Sequence, residues 1–144
     1  MRLGDRAWRE VLSDHLASVR SALDRFGGRE IDAAGDGILA TFNGPENALR
    51  AAAAIRDGPA LHGLRVRASV HVGEGEFVGA GIRGVAVHEA ARIMGKAAAG
   101  EIFVSEATRA VMQSSGFAFE DRGLHALKGL GGERRLYALL TLRA

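Results

Sequence analysis

The sequence predicts an α+β sandwich, with helices on one face of a mostly antiparallel sheet. Three observations lead there. Helical and strand-like periodicities alternate along the chain as helix, hairpin, helix, hairpin, helix, then a mixed tail. No internal repeat, linker or low-complexity stretch interrupts the 144 residues, so 1–144 reads as a single domain. Hydrophobic residues make up 47% and charged residues 25%, the balance of a folded chain that buries about two-thirds of its unfolded surface.

Each element has a local cause. Between Asp5 and Phe26, Trp8, Val11, Leu12, Leu16, Val19, Leu23 and Phe26 recur at three- and four-residue spacing, one face of a long amphipathic helix. Asp5 suits its N-cap and Gly27-Gly28 its end. Two short strands, Glu30 to Ala34 and Ile38 to Phe42, flank Gly35-Asp36-Gly37, a tight-hairpin signal. Asn43-Gly44-Pro45 opens a second helix with Pro45 in its first turn and a small apolar face of Ala48, Leu49, Ala52 and Ile55. Leu64 to Val72 alternates, with Leu64, Val66, Ala68, Val70 and Val72 inward and Arg65, Arg67, Ser69 and His71 outward. Gly73-Glu74-Gly75 turns into a short strand at Phe77-Val78, and a third helix follows from Gly84 to Met94. Glu101 to Val104 reads as a strand, and Ser105 caps a short helix bearing Val111 and Met112. The tail from Phe117 to Leu140 reads as short strands broken by Gly.

Composition narrows the function classes. The net charge is only +2, with no basic block and a single Trp and Tyr, which argues against a nucleic-acid surface. No apolar run approaches the ~20 residues of a membrane span, and the N-terminus has no signal-peptide pattern. Cysteine is absent, which excludes disulfides, thiolate zinc sites and Cys nucleophiles and fits a cytoplasmic protein.

Four places offer chemistry. Asp36, between Gly35 and Gly37, is a carboxylate at a hairpin tip that can reach a hard cation, with bare backbone beside it for a phosphate. An ordinary turn aspartate fits the same pattern. Gly79 to Gly84 matches G-x-G-x-x-G, the dinucleotide fingerprint in form, with Glu106 near the ribose position. The strand before it is short and carries Glu74 and Glu76, whereas a central parallel strand is a continuous apolar run. His88 and Arg92, four apart on a helix, share one face and can meet a phosphate, though a solvated polar face gives the same spacing. Lys128, one of two lysines, stands beside a flexible glycine in Leu127-Lys128-Gly129. His15, His62, His71 and His125 show no metal-ligand spacing, and neither a Walker A motif nor a serine nucleophile elbow is present.

Taken together, LGDRAWREVLSDH, FGGREIDAAGDGILATFNGPENALRAAAAIR, VRASVHVGE, GVAVHEAARIM, GEIFVSEATR and FEDRGLHALKGLGGERRLYAL resemble, in order and over nearly the whole chain, the class III adenylate/guanylate cyclase catalytic domain of actinobacterial type. The resemblance implies a ferredoxin-like βαββαβ core and a head-to-tail homodimer with sites between the subunits. It also implies Mg²⁺ or Mn²⁺ as cofactor and ATP or GTP as substrate, cyclised by attack of the ribose 3′-OH on the α-phosphate. Such a reaction rests on positioning and charge neutralisation. By resemblance Asp36 is the second metal aspartate, flanked by the phosphate-approach glycines Gly35 and Gly37. Arg92 is the transition-state arginine, His88 replaces the ribose-orienting Asn, and Lys128 is the triphosphate lysine. Asp32 and Gly81 occupy the base-selecting positions, where adenylate cyclases usually have Lys and Asp. An acidic first residue leans towards guanine, whose N1 and N2 hydrogens a carboxylate accepts. The family's first strand, of the kind FTDIVGST, carries the other metal aspartate and has no counterpart here. The expectation is therefore a cyclase fold with its first strand missing and weak or absent turnover. A non-catalytic nucleotide-sensing or dimerisation module is the alternative.

Overall fold

The computed structural model describes residues 4–34, 37–58, 65–79, 81–113 and 115–142. Helix α1, Asp5–Arg25, buries Val11, Val19 and Leu23, while Trp8 on the same periodic face stays 42% exposed. Its N-cap is Gly4, not Asp5. Asp5 lies in the first turn, where its charge opposes the positive end of the helix dipole. The chain leaves the helix through Gly27 at φ 76°. Strands β1, Arg29–Ala34, and β2, Gly37–Thr41, form an antiparallel hairpin whose register shifts between Glu30 and Asp32. Helix α2, Pro45–Asp57, starts on Pro45 as expected and buries Leu49, Ala51, Ala52 and Ala53. Small side chains let it lie close to the sheet.

The main sheet has four strands in the order β3, β6, β8, β7. Strand β3, Ala68–Val70, runs parallel to β6, Ile102–Ser105. Strand β8, Glu133–Leu142, runs antiparallel to β6 and to β7, Phe117–Ala126. A second small hairpin joins β4, Glu76–Val78, to β5, Gly81–Arg83. Helix α3, Val85–Met94, follows it, and α4, Glu106–Val111, follows β6 with Ser105 as cap, accepting the Thr108 N–H.

All four residues of β6 are buried, so the strand is covered on both sides. Ile102 and Val104 pack with Leu49, Ala52 and Ala53 of α2, whereas Phe103 packs with Ile93 of α3 and with Leu127, Leu136 and Ala138. Helices therefore lie on both faces, not one. The same fact corrects the alternation expected from Leu64 to Val72. The strand itself is limited to Ala68–Val70, and Ser69 and His71 point at α3 and α4 instead of solvent. The tail forms two strands of ten residues each. Gly123 does not break β7, because its φ of 81° falls where the register shifts between Asp121 and Leu124.

The G-x-G-x-x-G segment is no dinucleotide loop. Strand β4 is exposed throughout and pairs antiparallel with β5 across Gly79, so the segment is a surface hairpin and not a βαβ crossover. No helix among the described residues is long and apolar enough to cross a membrane.

Candidate functional site

Helix α3 organises the site. Gly84, at φ 143°, leads into it, a backbone conformation that favours glycine. His88 and Arg92 lie one turn apart on its exposed side, while Ile93 next to Arg92 is 1% exposed in the core. Ile93 shares its buried cluster with Leu127. Lys128, exposed and followed by Gly129 at φ 79°, comes next in the chain. Among the described residues no side-chain hydrogen bond or ion pair engages His88, Arg92 or Lys128. Three cationic or proton-donating groups thus stand uncommitted on neighbouring elements.

Strand β1 lies beside β5. The Arg29 guanidinium sits 5.2 Å from the Phe77 ring centroid, a cation–π contact that ties β1 to the second hairpin. Asp32 follows the register shift in β1, a feature that re-aims side chains. Its exposed carboxylate accepts the Ala33 N–H at 2.9 Å. Gly81 opens β5, where an added Cβ would meet only the Val78 carbonyl oxygen at 3.7 Å, an ordinary contact. Asp32 and Gly81 therefore belong to adjacent strands, and β5 leads directly into α3.

Gly37 begins β2 and is half-buried. Gly35 and Asp36, the residues expected at the metal, lie outside the described residues. Among the described residues no group of three or more His, Asp or Glu is placed to hold a metal ion.

A polar network went unread in the sequence. His71, with its side chain 8% exposed, has Nδ1 2.8 Å from Ser105 Oγ and Nε2 3.2 Å from Glu89 Oε2. Ser105 Oγ lies 2.8 Å from Thr108 Oγ1, which in turn accepts the Val72 N–H at 2.9 Å. Ser69 Oγ donates to the Ala90 carbonyl at 2.7 Å. Burial pushes the His71 pKa below its ordinary value, and the Glu89 charge opposes that shift. The signal available was the polar pair Ser69 and His71 on one strand face, followed by the capping pair Ser105 and Thr108.

No protein-family model and no curated protein matches the sequence. Solved structures do. An adenylate/guanylate cyclase/hydrolase from Silicibacter pomeroyi is 27% identical over 85% of this chain and 78% of that one, with a TM-score of 0.74. The adenylyl cyclase CyaB from P. aeruginosa is 19% identical over 99% of this chain and 86% of that one, with a TM-score of 0.76. The guanylate cyclase domain of RhGC from Catenaria anguillulae, solved in complex with GTP, is 18% identical over 99% of this chain and 88% of that one, with a TM-score of 0.82. The chain has the α+β fold of adenylate and guanylate cyclase catalytic domains.

Proposed function

We propose that this chain is a nucleotide cyclase homology domain of class III, actinobacterial type, that binds ATP or GTP in the cytoplasm and turns it over weakly or not at all. The observation that carries the reading is the continuity of β1, β5, α3 and the 127–129 loop. Residues distant in sequence but assigned by resemblance to one site lie on elements that touch. Their chemistry matches the ligand. The Arg92 guanidinium offers a planar fork of N–H donors to phosphate oxygens, and Lys128 adds a point charge. His88 can donate to a ribose oxygen, Asp32 can accept from a guanine edge, and Gly81 leaves space for the base.

Within the 144 residues one of the family's two metal aspartates, Asp36, has a counterpart. Asp36 lies outside the described residues, and no step is routed through Mg²⁺ or Mn²⁺. Arg92 and Lys128 would meet part of the charge on the phosphates. In the head-to-tail homodimer that we propose, Asp36 of one subunit and Arg92 of the other belong to the same site.

The test is calorimetry with ATP and with GTP, alongside an assay for cyclic nucleotide in Mn²⁺. Binding with turnover near background is the expected result, and Arg92→Ala or Lys128→Ala weakens binding roughly tenfold. Rapid formation of cyclic nucleotide refutes the inactive reading. Failure to bind either nucleotide removes the site and leaves a dimerisation module.

A further inference from the structure

Helix α3 carries two neighbouring ridges. His88 and Arg92 form the outer one, exposed to solvent. Glu89 and Ile93, also one turn apart, form the inner one, with Ile93 in the core and the Glu89 side chain 22% exposed against His71. The two ridges are rigidly coupled by the helix, so any rotation of the inner ridge swings the outer one equally. A turn of about 20° displaces an atom at the ~6 Å side-chain radius by about 2 Å. A misplacement of ~1 Å is already enough to cost a reactive geometry dearly.

Ile93 cannot set that rotation alone, because apolar burial is non-directional. The directional contacts are the Ser69 hydroxyl on the Ala90 carbonyl and the His71 ring on the Glu89 carboxylate. The ring is itself braced from behind by Ser105, which is fixed by Thr108 and by its role as cap of α4. Ser105, His71 and Glu89 follow the order of a hydrolase triad. Ser105 Oγ is nonetheless committed, accepting the Thr108 N–H at 3.2 Å in a residue 7% exposed, so it serves as a brace and not a nucleophile.

We propose that His71 and Glu89 are positioning residues for the nucleotide site: the braced ring fixes the rotation of α3 through Glu89, and thereby the direction of Arg92 and His88. The consequence for binding rests on the nucleotide reading above; the brace itself does not. The network holds in either protonation state of the ring. A neutral ring accepts from Ser105 and donates to Glu89. A charged ring donates to both, Ser105 turns its proton to Thr108, and Thr108 turns to the Val70 carbonyl 3.3 Å away. Glu89 from α3 is the titratable group that faces the ring among the described residues; β6 and α4 contribute hydroxyls.

The experiment uses the full chain, inorganic triphosphate as probe, and the variants Glu89→Ala, Glu89→Gln and Arg92→Ala. Hydrogen exchange followed by mass spectrometry reads α3, and calorimetry reads affinity. Glu89→Ala is expected to exchange about tenfold faster over residues 85–94, with β7 and β8 unchanged, and to lose about five- to tenfold in triphosphate affinity. Glu89→Gln, which keeps an acceptor for the ring N–H, should restore both to within about threefold of the parent. Wild-type protection of α3 in Glu89→Ala overturns the proposal whatever the ligand. So does a loosened α3 with undiminished affinity, provided Arg92→Ala has lost it. Undiminished affinity in Arg92→Ala sinks the nucleotide reading instead, and the exchange rates then decide the brace by themselves. His71→Gln removes the ring while leaving the carboxylate, and gives the same two readouts if Glu89→Ala does not fold.

Discussion

Replacing Thr108 by Val tests how much the buried network stabilises the fold. Thr108 is 0% exposed. Its hydroxyl accepts the Val72 N–H at 2.9 Å and lies 2.8 Å from Ser105 Oγ. Valine keeps the shape and deletes both contacts, together with the longer 3.3 Å bond to the Val70 carbonyl. Ser105 Oγ retains the Thr108 N–H and His71, so it stays satisfied, whereas the Val72 N–H loses its partner. An orphaned donor costs about 1–3 kcal/mol. Val72 is 38% exposed, so water reaches part of it and the cost falls near the lower end, about 1.5 kcal/mol. For a chain of this size that lowers Tm by roughly 5 °C. Urea unfolding should show a lower midpoint at constant m. A double-mutant cycle with Ser105→Ala should return a coupling of about 1 kcal/mol, because the first change removes much of what the second would. A Thr108→Val protein as stable as the parent would refute the reasoning, leaving packing alone as the reason for Thr108.

Three further predictions follow from charge and from space. Glu101 is held below the ordinary carboxyl value of 4.5, first by the Ala98 N–H and then by Arg122, and a lowered folded pKa gives stability above that value that is lost as pH falls through the folded one. Glu101→Gln should therefore flatten the decline of Tm below about pH 4.5. His71, held below 6.5 by burial, adds a separate loss that begins just under that pH, and it should vanish in His71→Gln. At the base-selecting positions, Asp32→Lys with Gly81→Asp should move preference from GTP towards ATP in competition calorimetry. The space at Gly81 admits the side chain, and unchanged preference would show that these positions do not read the base.

Features set by local chemistry were legible in the sequence. The Pro45 start of α2, the Ser105 cap, the hairpin on either side of Gly35-Asp36-Gly37 and the shared face of His88 and Arg92 all appear as the spacing implied. What failed was everything that depends on a distant partner. Alternation separates the two faces of β3 correctly but cannot say what covers them. Ser69 and His71 look like solvent residues until Ala90, Glu89 and Ser105 arrive to satisfy them. Gly123 looks like a chain break until β8 supplies the ladder that turns it into a bulge. Periodicity alone singled out Arg92 and His88 only as a polar face. Their roles came from the ordered resemblance, and Asp32 and Gly81 owe their candidacy to that resemblance entirely.

The uncommitted state of the exposed ridge and the committed state of the inner one have a common logic. Immobilising a long side chain on binding costs about 0.5–1.5 kcal/mol, and Arg92 and Lys128 would each incur it. If α3 were free to rotate as well, the backbone that carries Arg92 would have to be ordered in the same event. Fixing the helix beforehand through Ile93, Glu89 and Ala90 removes that second cost from binding. The carboxylate at Glu89 suits this task because it follows His88 in sequence but belongs to the neighbouring, inner ridge. Its Oε2 lies 3.2 Å from His71 Nε2, so the carboxylate is occupied by the ring and not by the groups meant for phosphate. An alanine there would leave the cations in place yet unaimed, and a lysine would remove the acceptor that the ring N–H needs.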